Sequence, residues 1–227
     1  MPTTMSTPID RRDRPHHMPA FPCARRVYRP LFDATFNIPI LVDPVLYKRI
    51  PVGATEREVY ALLPRAQNFE YGGYITRCGV YALRGDEFSV STSCNKDVVW
   101  HSHPYKSSGA DYPSAIDLYS MVKWFPVRNV IVGGRYIWVF DKTRHTMPVL
   151  RALKVWEDTH FLDCLMESSS KHGYPRCTHE FAKVALKSIG LDYEKAFRGN
   201  PSNSQWVNEV RRTLKLRVRR LAIDKHD

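Results

Sequence analysis

The residues with the clearest chemical potential in this chain are two histidines separated by a single residue, His101 and His103. They follow the apolar run 97–100 (DVVW), which predicts a short strand. Because side chains alternate along a strand, both imidazoles point to the same side. A catalytic zinc ion usually takes three protein ligands and keeps water in its fourth position. Asp117, one turn into a predicted helix, supplies a third ligand, and this set leaves zinc acidic enough to ionise that water.

The residues around this set resemble the signature of the JAMM (MPN-plus) metalloproteases, which is His-x-His-Pro, a short loop and then Ser-x-x-Asp. The matching strings are 101–104 (HSHP) and 114–117 (SAID). The family also places a Glu upstream, before a Gly-rich strand, and 70–75 (EYGGYI) resembles that element. The resemblance covers about residues 50–142, and it is greatest to compact bacterial members, including those found in toxin and effector proteins.

The resemblance implies a division of roles among five residues. His101, His103 and Asp117 would bind zinc. Glu70 would take a proton from the zinc-bound water and return it to the leaving amine. Ser114 would donate a hydrogen bond to the oxyanion of the tetrahedral intermediate. The implied reaction is hydrolysis of an amide bond in a protein substrate, with isopeptide bonds at ubiquitin or ubiquitin-like tails and bacterial proteins as candidates.

The chain departs from the family pattern in two places. Ten residues, 104–113, separate His103 from Ser114, which is three more than the commonest family spacing, and Asp111 stands where the Ser would otherwise fall. Because the Ser-x-x-Asp spacing is intact, we interpret the extra residues as a longer loop. No long insertion follows Asp117, whereas deubiquitinating members of the family carry inserted segments that grip ubiquitin.

Other interpretations stay open on the sequence alone. Ser114 also suits a helix N-cap, and Glu70 could be an ordinary carboxylate at the start of a strand. A catalytically silent binding module of the same fold is one alternative function. Phosphoesterases of the PHP type, which also begin with His-x-His after a strand, are another. The net charge of +11 would favour nucleic acid or another acidic partner, but no nucleic-acid-binding signature accompanies it.

The elements that must position these residues can be predicted from local patterns. Thr55 suits an N-cap, and the following helix has an apolar face and ends near Pro64. Ser114 begins the helix that carries Asp117. Strands are predicted at 71–83, 87–91, 129–132 and 136–140, and a strand or an extended segment that packs on the core is predicted at 36–42. Further helices are predicted at about 150–168, at 178–189 with Gly190 after it, and at about 205–223.

These elements predict an α/β fold: a curved mixed β-sheet flanked by helices, which the resemblance makes JAMM/MPN-like and cytidine deaminase-like, with extra C-terminal helices. We expect a flexible basic arm over residues 1–30, a metallohydrolase domain over 31–147, and a helical C-terminal region over 148–227 that packs on the core.

Composition and cysteine spacing bear on the cellular compartment that we expect for this protein. Hydrophobic residues make up 43% of the 227 residues, enough to form a packed core. No run of about 18 apolar residues predicts a membrane span, and the polar N-terminus argues against Sec export. The five cysteines are scattered without Cys-x-x-Cys spacing, so we expect no disulfide framework and a reducing, cytoplasmic setting. Export of a bacterial effector by another route stays open.

Overall fold

The computed structural model of the protein describes residues 44–85, 97–105, 111–123, 127–160, 179–197 and 203–223. The predicted arm over 1–30, the strand or extended segment predicted at 36–42 and the strand predicted at 87–91 lie outside these residues. Within the described part of the chain, no helix is both long enough and apolar enough to span a membrane.

A seven-stranded mixed sheet forms the centre of the structure, in the order β1-β3-β2-β4-β5-β6-β7. Neighbouring strands are antiparallel except β4 and β5, which are parallel. The strands are β1 (Val45–Arg49), β2 (Tyr71–Ile75), β3 (Gly79–Arg84), β4 (Val98–Ser102), β5 (Arg128–Val132), β6 (Tyr136–Asp141) and β7 (Arg217–Ala222). The predicted α/β class with a mixed sheet is confirmed at this level.

Six helices flank the sheet in the described residues. They are α1 (Glu56–Ala61), α2 (Ala115–Lys123), α3 (Thr146–Thr159), α4 (His179–Ser188), α5 (Tyr193–Phe197) and α6 (Asn203–Leu214). The predicted start of α1 is confirmed, because the Thr55 hydroxyl accepts from the Glu58 backbone while the Glu58 carboxylate accepts from the Thr55 backbone. Gly190 follows α4 with a φ of +93°, a left-handed conformation that suits the end of a helix.

Two hydrophobic cores lie on opposite faces of the sheet. On one face, Val59 and Tyr60 of α1 and Leu63, just after that helix, form a core with β2 to β6. On the other face, α2 is buried among α3, α4 and α6 and against β5, β6 and β7. The second core draws these residues from beyond 148: Leu153, Ala182, Ala185, Leu186, Leu191, Trp206, Val210, Leu214, Leu216 and Val218. The end of the chain therefore covers the helix that carries Asp117.

The single strand predicted at 71–83 is wrong, because the chain turns at Thr76 and forms the hairpin of β2 and β3. The Thr76 hydroxyl accepts hydrogen bonds from the backbone N–H groups of Cys78 and Gly79 at 3.1 and 3.3 Å. A hydroxyl that bonds to the backbone a few residues ahead stabilises a turn in place of continued strand.

The helix predicted at about 205–223 is confirmed only as far as Leu214. Lys215 then has a φ of +56°, and the chain continues as β7, antiparallel to β6. The apolar spacing of the sequence fits a helix throughout, but the free edge of β6 offers backbone partners that a longer helix would leave unpaired. The helix predicted from about 150 begins at Thr146 and ends at Thr159, and the remainder of that range is not described.

Cys78 is disulfide-bonded, whereas the scattered spacing of the cysteines does not indicate a disulfide framework. The other four cysteines lie outside the described residues, so the partner is not described. Spacing along the chain does not report which cysteines meet in the fold.

Candidate metal centre

The β4–α2–β5 unit positions the two predicted histidines. β4 and β5 are parallel, and α2 provides the connection between them. Side chains alternate along β4, so Trp100 lies in the core beneath α1 while His101 and His103 face α2. The site is at the carboxyl end of β4, where ligands commonly bind in sheets with parallel strands.

Neighbouring strands fix the backbone on both sides of the histidines. The Ser102 side chain is fully buried, and its hydroxyl accepts from the Tyr71 N–H of β2 at 3.0 Å. The His103 N–H donates to the Val132 carbonyl of β5 at 2.9 Å. The predicted strand leading into His101 is therefore confirmed, and the two imidazoles project from a rigid part of the sheet.

The ligand atoms of His101, His103 and Asp117 form a tight triangle. The two Nε2 atoms are 3.2 Å apart. The Nε2 of His101 is 3.0 Å from Oδ1 of Asp117, and the Nε2 of His103 is 3.1 Å from Oδ2. All three side chains are only 10–13% exposed. These are the three residues that the sequence predicts as ligands, and the structure brings them together.

The geometry of this triangle is compatible with a bound metal ion. Each of the three contacts would need one donor and one acceptor to be a hydrogen bond. Because a neutral imidazole carries a single N–H, the two rings and the carboxylate cannot make all three hydrogen bonds at once. Zinc–nitrogen bonds of about 2.0–2.1 Å in tetrahedral geometry place neighbouring ligand atoms about 3.3 Å apart. The observed separations approach that value, so one cation near the centre could contact all three groups.

Asp117 is held at the start of α2 by Ser114. The Ser114 hydroxyl accepts from the Asp117 N–H at 3.1 Å, and the Ser114 N–H donates to Oδ2 of Asp117 at 2.6 Å. The predicted N-cap role of Ser114 is confirmed by this reciprocal pair. The same contacts orient the carboxylate that faces the histidines. The first turn of α2 therefore contains both the helix cap and one of the three site residues.

The electrostatics of the site favour an ionised carboxylate. Burial acts to raise the pKa of Asp117, but the charges and hydrogen bonds of His101 and then His103 outweigh burial and hold that pKa well below its usual range. A carboxylate that stays ionised is ready to bind a cation.

Glu70 lies at the edge of the site, one residue before β2. The antiparallel register pairs Tyr71 with Ser102 and Gly72 with His101, so extending it by one residue places Glu70 beside His103. The Glu70 carbonyl accepts from the Gly85 N–H at 2.8 Å, which holds this end of the strand. The side chain is partly buried. The backbone position is thus adjacent to a predicted ligand.

Asp111 has a role different from that of Asp117. Its Oδ1 accepts from the Arg135 N–H at 2.7 Å, and its Oδ2 pairs with the Arg135 guanidinium at 2.6 Å. The Asp111 carbonyl accepts from the Trp138 indole at 2.6 Å. These contacts fasten the end of the long loop to the turn between β5 and β6, and they give Asp111 partners away from the histidines.

Tyr193, in α5, was missed by sequence reasoning. Its hydroxyl donates to the Pro113 carbonyl at 3.0 Å, next to the Ser114 turn. Burial raises the pKa of Tyr193, and the nearby Asp117 carboxylate raises it further. The two contacting residues are eighty positions apart, so no local spacing could have linked them.

No protein-family model, curated protein or solved structure matches this chain. The similarity to the JAMM signature therefore rests on the residues themselves and stays a prediction.

Proposed function

We propose that this protein is a zinc-dependent hydrolase of the JAMM type that cleaves amide bonds in protein substrates. The observation that carries the proposal is the convergence of His101, His103 and Asp117 at separations of 3.0–3.2 Å in a nearly buried site. Imidazole nitrogens suit zinc, whereas magnesium and calcium prefer oxygen ligands. Two imidazoles and one carboxylate are a typical set for a catalytic zinc ion that keeps an open position.

The proposed chemistry assigns separate tasks to the protein residues. Zinc, when bound, supplies a Lewis acid that lowers the pKa of a coordinated water toward neutrality. Glu70 takes the proton of the attacking water and passes it to the leaving amine. Extending the β2–β4 register by one residue past the Tyr71–Ser102 pair places Glu70 beside His103, which supports this role.

Ser114 stabilises the oxyanion in this proposal. Its hydroxyl oxygen accepts from the Asp117 N–H, which leaves the hydroxyl proton available to donate. A donor aimed at developing negative charge is worth the most in a site that is shielded from water. The longer loop 104–113 is compatible with this role, because the cap keeps Ser114 in register with Asp117.

The substrate is proposed by class only. A protein amide or isopeptide bond, in ubiquitin, a ubiquitin-like protein or a bacterial protein, is what the resemblance implies. Tyr105, two residues after His103, is 43% exposed and provides an aromatic surface beside the site. Trp100 is fully buried beneath α1 and is not available to contact a substrate.

Elemental analysis of purified wild type, Glu70→Gln and His103→Ala tests the proposal. We expect about one zinc per chain in the wild type and in Glu70→Gln, and little in His103→Ala, because only the histidine is a ligand. Hydrolysis of ubiquitin-linked and peptide amides should then be seen with the wild type and lost in Glu70→Gln.

Three results would contradict this assignment. Wild-type protein without zinc, after expression with zinc supplied, would remove the metal centre. Equal zinc loss in Glu70→Gln and His103→Ala would make Glu70 a ligand and not the base. Zinc-loaded protein that hydrolyses a phosphoester but no amide would favour the phosphoesterase alternative.

A further inference from the structure

A second layer of contacts connects the end of the chain to the metal centre through Pro113. This residue directly precedes Ser114, whose backbone and hydroxyl hold Asp117. Proline has no N–H, so its carbonyl is the one backbone group through which the turn can be hydrogen-bonded at this position. That carbonyl accepts from the Tyr193 hydroxyl at 3.0 Å. Tyr193 therefore contacts the chain one residue before Ser114, the N-cap, and four residues before Asp117.

The Tyr193 side chain is itself held in place. Its ring stacks on Phe197 at a centroid distance of 4.4 Å, and it meets the His179 ring edge-on at 5.7 Å. Phe197 in turn contacts Trp206, a fully buried residue of the core that covers α2. A tyrosine ring has few rotatable bonds, so packing on two sides determines where its hydroxyl lies.

The electrostatic surroundings of the Tyr193 hydroxyl are consistent with its lying close to Asp117. Burial is the main reason that the pKa of Tyr193 is raised, and the charge of Asp117 is the second. Because a phenol with its ordinary pKa of about 10 is already protonated at neutral pH, the hydroxyl has a hydrogen to donate to the Pro113 carbonyl.

We infer that Tyr193 is a positioning residue for the metal centre: through the Pro113 carbonyl it holds the turn that presents Asp117, and thereby sets metal affinity and coordination geometry. This rests on the proposed function, because it concerns the same metal site. The inference gives the C-terminal helices a specific task in the chemistry as well as in the core. Outer contacts that orient a ligand typically change metal affinity by about 10–100-fold when removed.

The test is a titration of metal-free full-length protein with Co²⁺, whose visible absorption bands report coordination geometry. We compare wild type, Tyr193→Phe and a matched control, Tyr119→Phe. Tyr119 also lies on the metal-site side of the sheet, but its hydroxyl bonds to Glu157 and Lys123 away from the histidines. Both substitutions keep a ring and remove one partly buried hydroxyl. Circular dichroism and thermal unfolding of the metal-free proteins establish that each variant folds.

We expect the Co²⁺ dissociation constant to rise about tenfold in Tyr193→Phe, with shifted absorption bands, and to match wild type in Tyr119→Phe. Wild-type affinity and bands in Tyr193→Phe would overturn the inference and leave the proposed function intact. Equal weakening in both variants would also overturn it, since the cause would then be general stability. Failure of wild type to bind Co²⁺ or Zn²⁺ would instead remove the proposed function, and the inference with it.

Discussion

Two aspartates six residues apart have separate roles in this molecule. Asp117 faces both histidines and caps α2 with Ser114, while Asp111 pairs with Arg135 on the neighbouring turn. In the sequence, Asp111 falls where the commonest family spacing would place the Ser, whereas Asp117 keeps the Ser-x-x-Asp spacing, so only Asp117 was predicted as a ligand.

Asp117→Asn and Asp111→Asn separate these roles. We expect Asp117→Asn to weaken zinc binding by more than about 100-fold, since a neutral amide replaces a charged ligand, a larger change than loss of an outer contact. Asp111→Asn should bind zinc like wild type. Competition with a coloured chelator measures both affinities, and an equal loss in the two variants would contradict the assignment of Asp117 alone.

Gly73 belongs to the string 70–75 that resembles the Gly-rich element of the family, and packing within the sheet explains why this residue is a glycine. A Cβ at this position would lie 2.0 Å from the Tyr81 carbonyl oxygen of β3. Only glycine fits without moving that strand. Because β2 also pairs with β4, the close packing at Gly73 helps to keep β4, which contains His101, in register with β2.

At the scale of elements, a charged cluster fastens α1 to the far strands of the sheet. Glu56 of α1 accepts hydrogen bonds from Arg128 of β5 at 2.6 Å, from Arg219 of β7 at 2.5 and 2.9 Å, and from Tyr60 at 2.8 Å. Asp141 of β6 also pairs with both arginines. Two carboxylates therefore balance two guanidinium groups.

The cluster makes stability depend on pH. Burial acts to raise the pKa of Glu56, but the hydrogen bonds from Arg219 and Tyr60 and the charges of the two arginines lower it from 4.5 to about 2. A carboxylate with a lowered folded-state pKa stabilises the fold above its unfolded pKa, and this contribution is lost as the pH falls from about 4.5 to about 2.

Glu56→Gln should therefore reduce the free energy of unfolding by about 1–3 kcal/mol at pH 7. The difference from wild type should shrink as the pH falls below about 4.5, where the wild-type carboxylate begins to lose its advantage. Denaturant unfolding at several pH values measures both effects. The control is Glu180→Gln, which removes an exposed carboxylate of α4 and should change stability less. Parallel pH profiles for wild type and Glu56→Gln would contradict the prediction.

At the scale of the whole molecule, the segment after 148 cannot be separated from the rest of the described fold. Its helices bury α2, and β7 adds a strand to the sheet. The boundary predicted between 147 and 148 falls inside α3. Removing this segment would expose the core of the helix that carries Asp117, so we interpret it as part of the structure that supports the site.

The covalent state of the chain is a second property of the whole molecule. Five cysteines less the two in the Cys78 disulfide leave at most three free thiols in protein that has been denatured without a reductant. Thiol titration should therefore count three or fewer, rising to five after reduction. Five thiols before reduction would contradict the disulfide. Because disulfides persist mainly in oxidising compartments, the same measurement on protein from its natural setting tests the expectation of a reducing one.

Local patterns in the sequence were sufficient to place several elements correctly. The apolar run before His101 predicted β4, the caps at Thr55 and Ser114 predicted the starts of α1 and α2, and Gly190 marked the end of α4. Alternation along β4 also predicted that His101 and His103 share a face. Each of these features depends on residues within a few positions of one another, so the sequence alone carries the information.

The features that depend on contacts between residues far apart in the sequence were decided only by the tertiary structure. Residues 217–222 became a strand because β6 has a free edge there, although their spacing also suits a helix. Glu56 meets Arg219 across 163 positions, and Tyr193 meets Pro113 across 80. The physical reason is that burial and backbone pairing are satisfied by whichever segments the fold brings together, and local periodicity does not encode which segments those are.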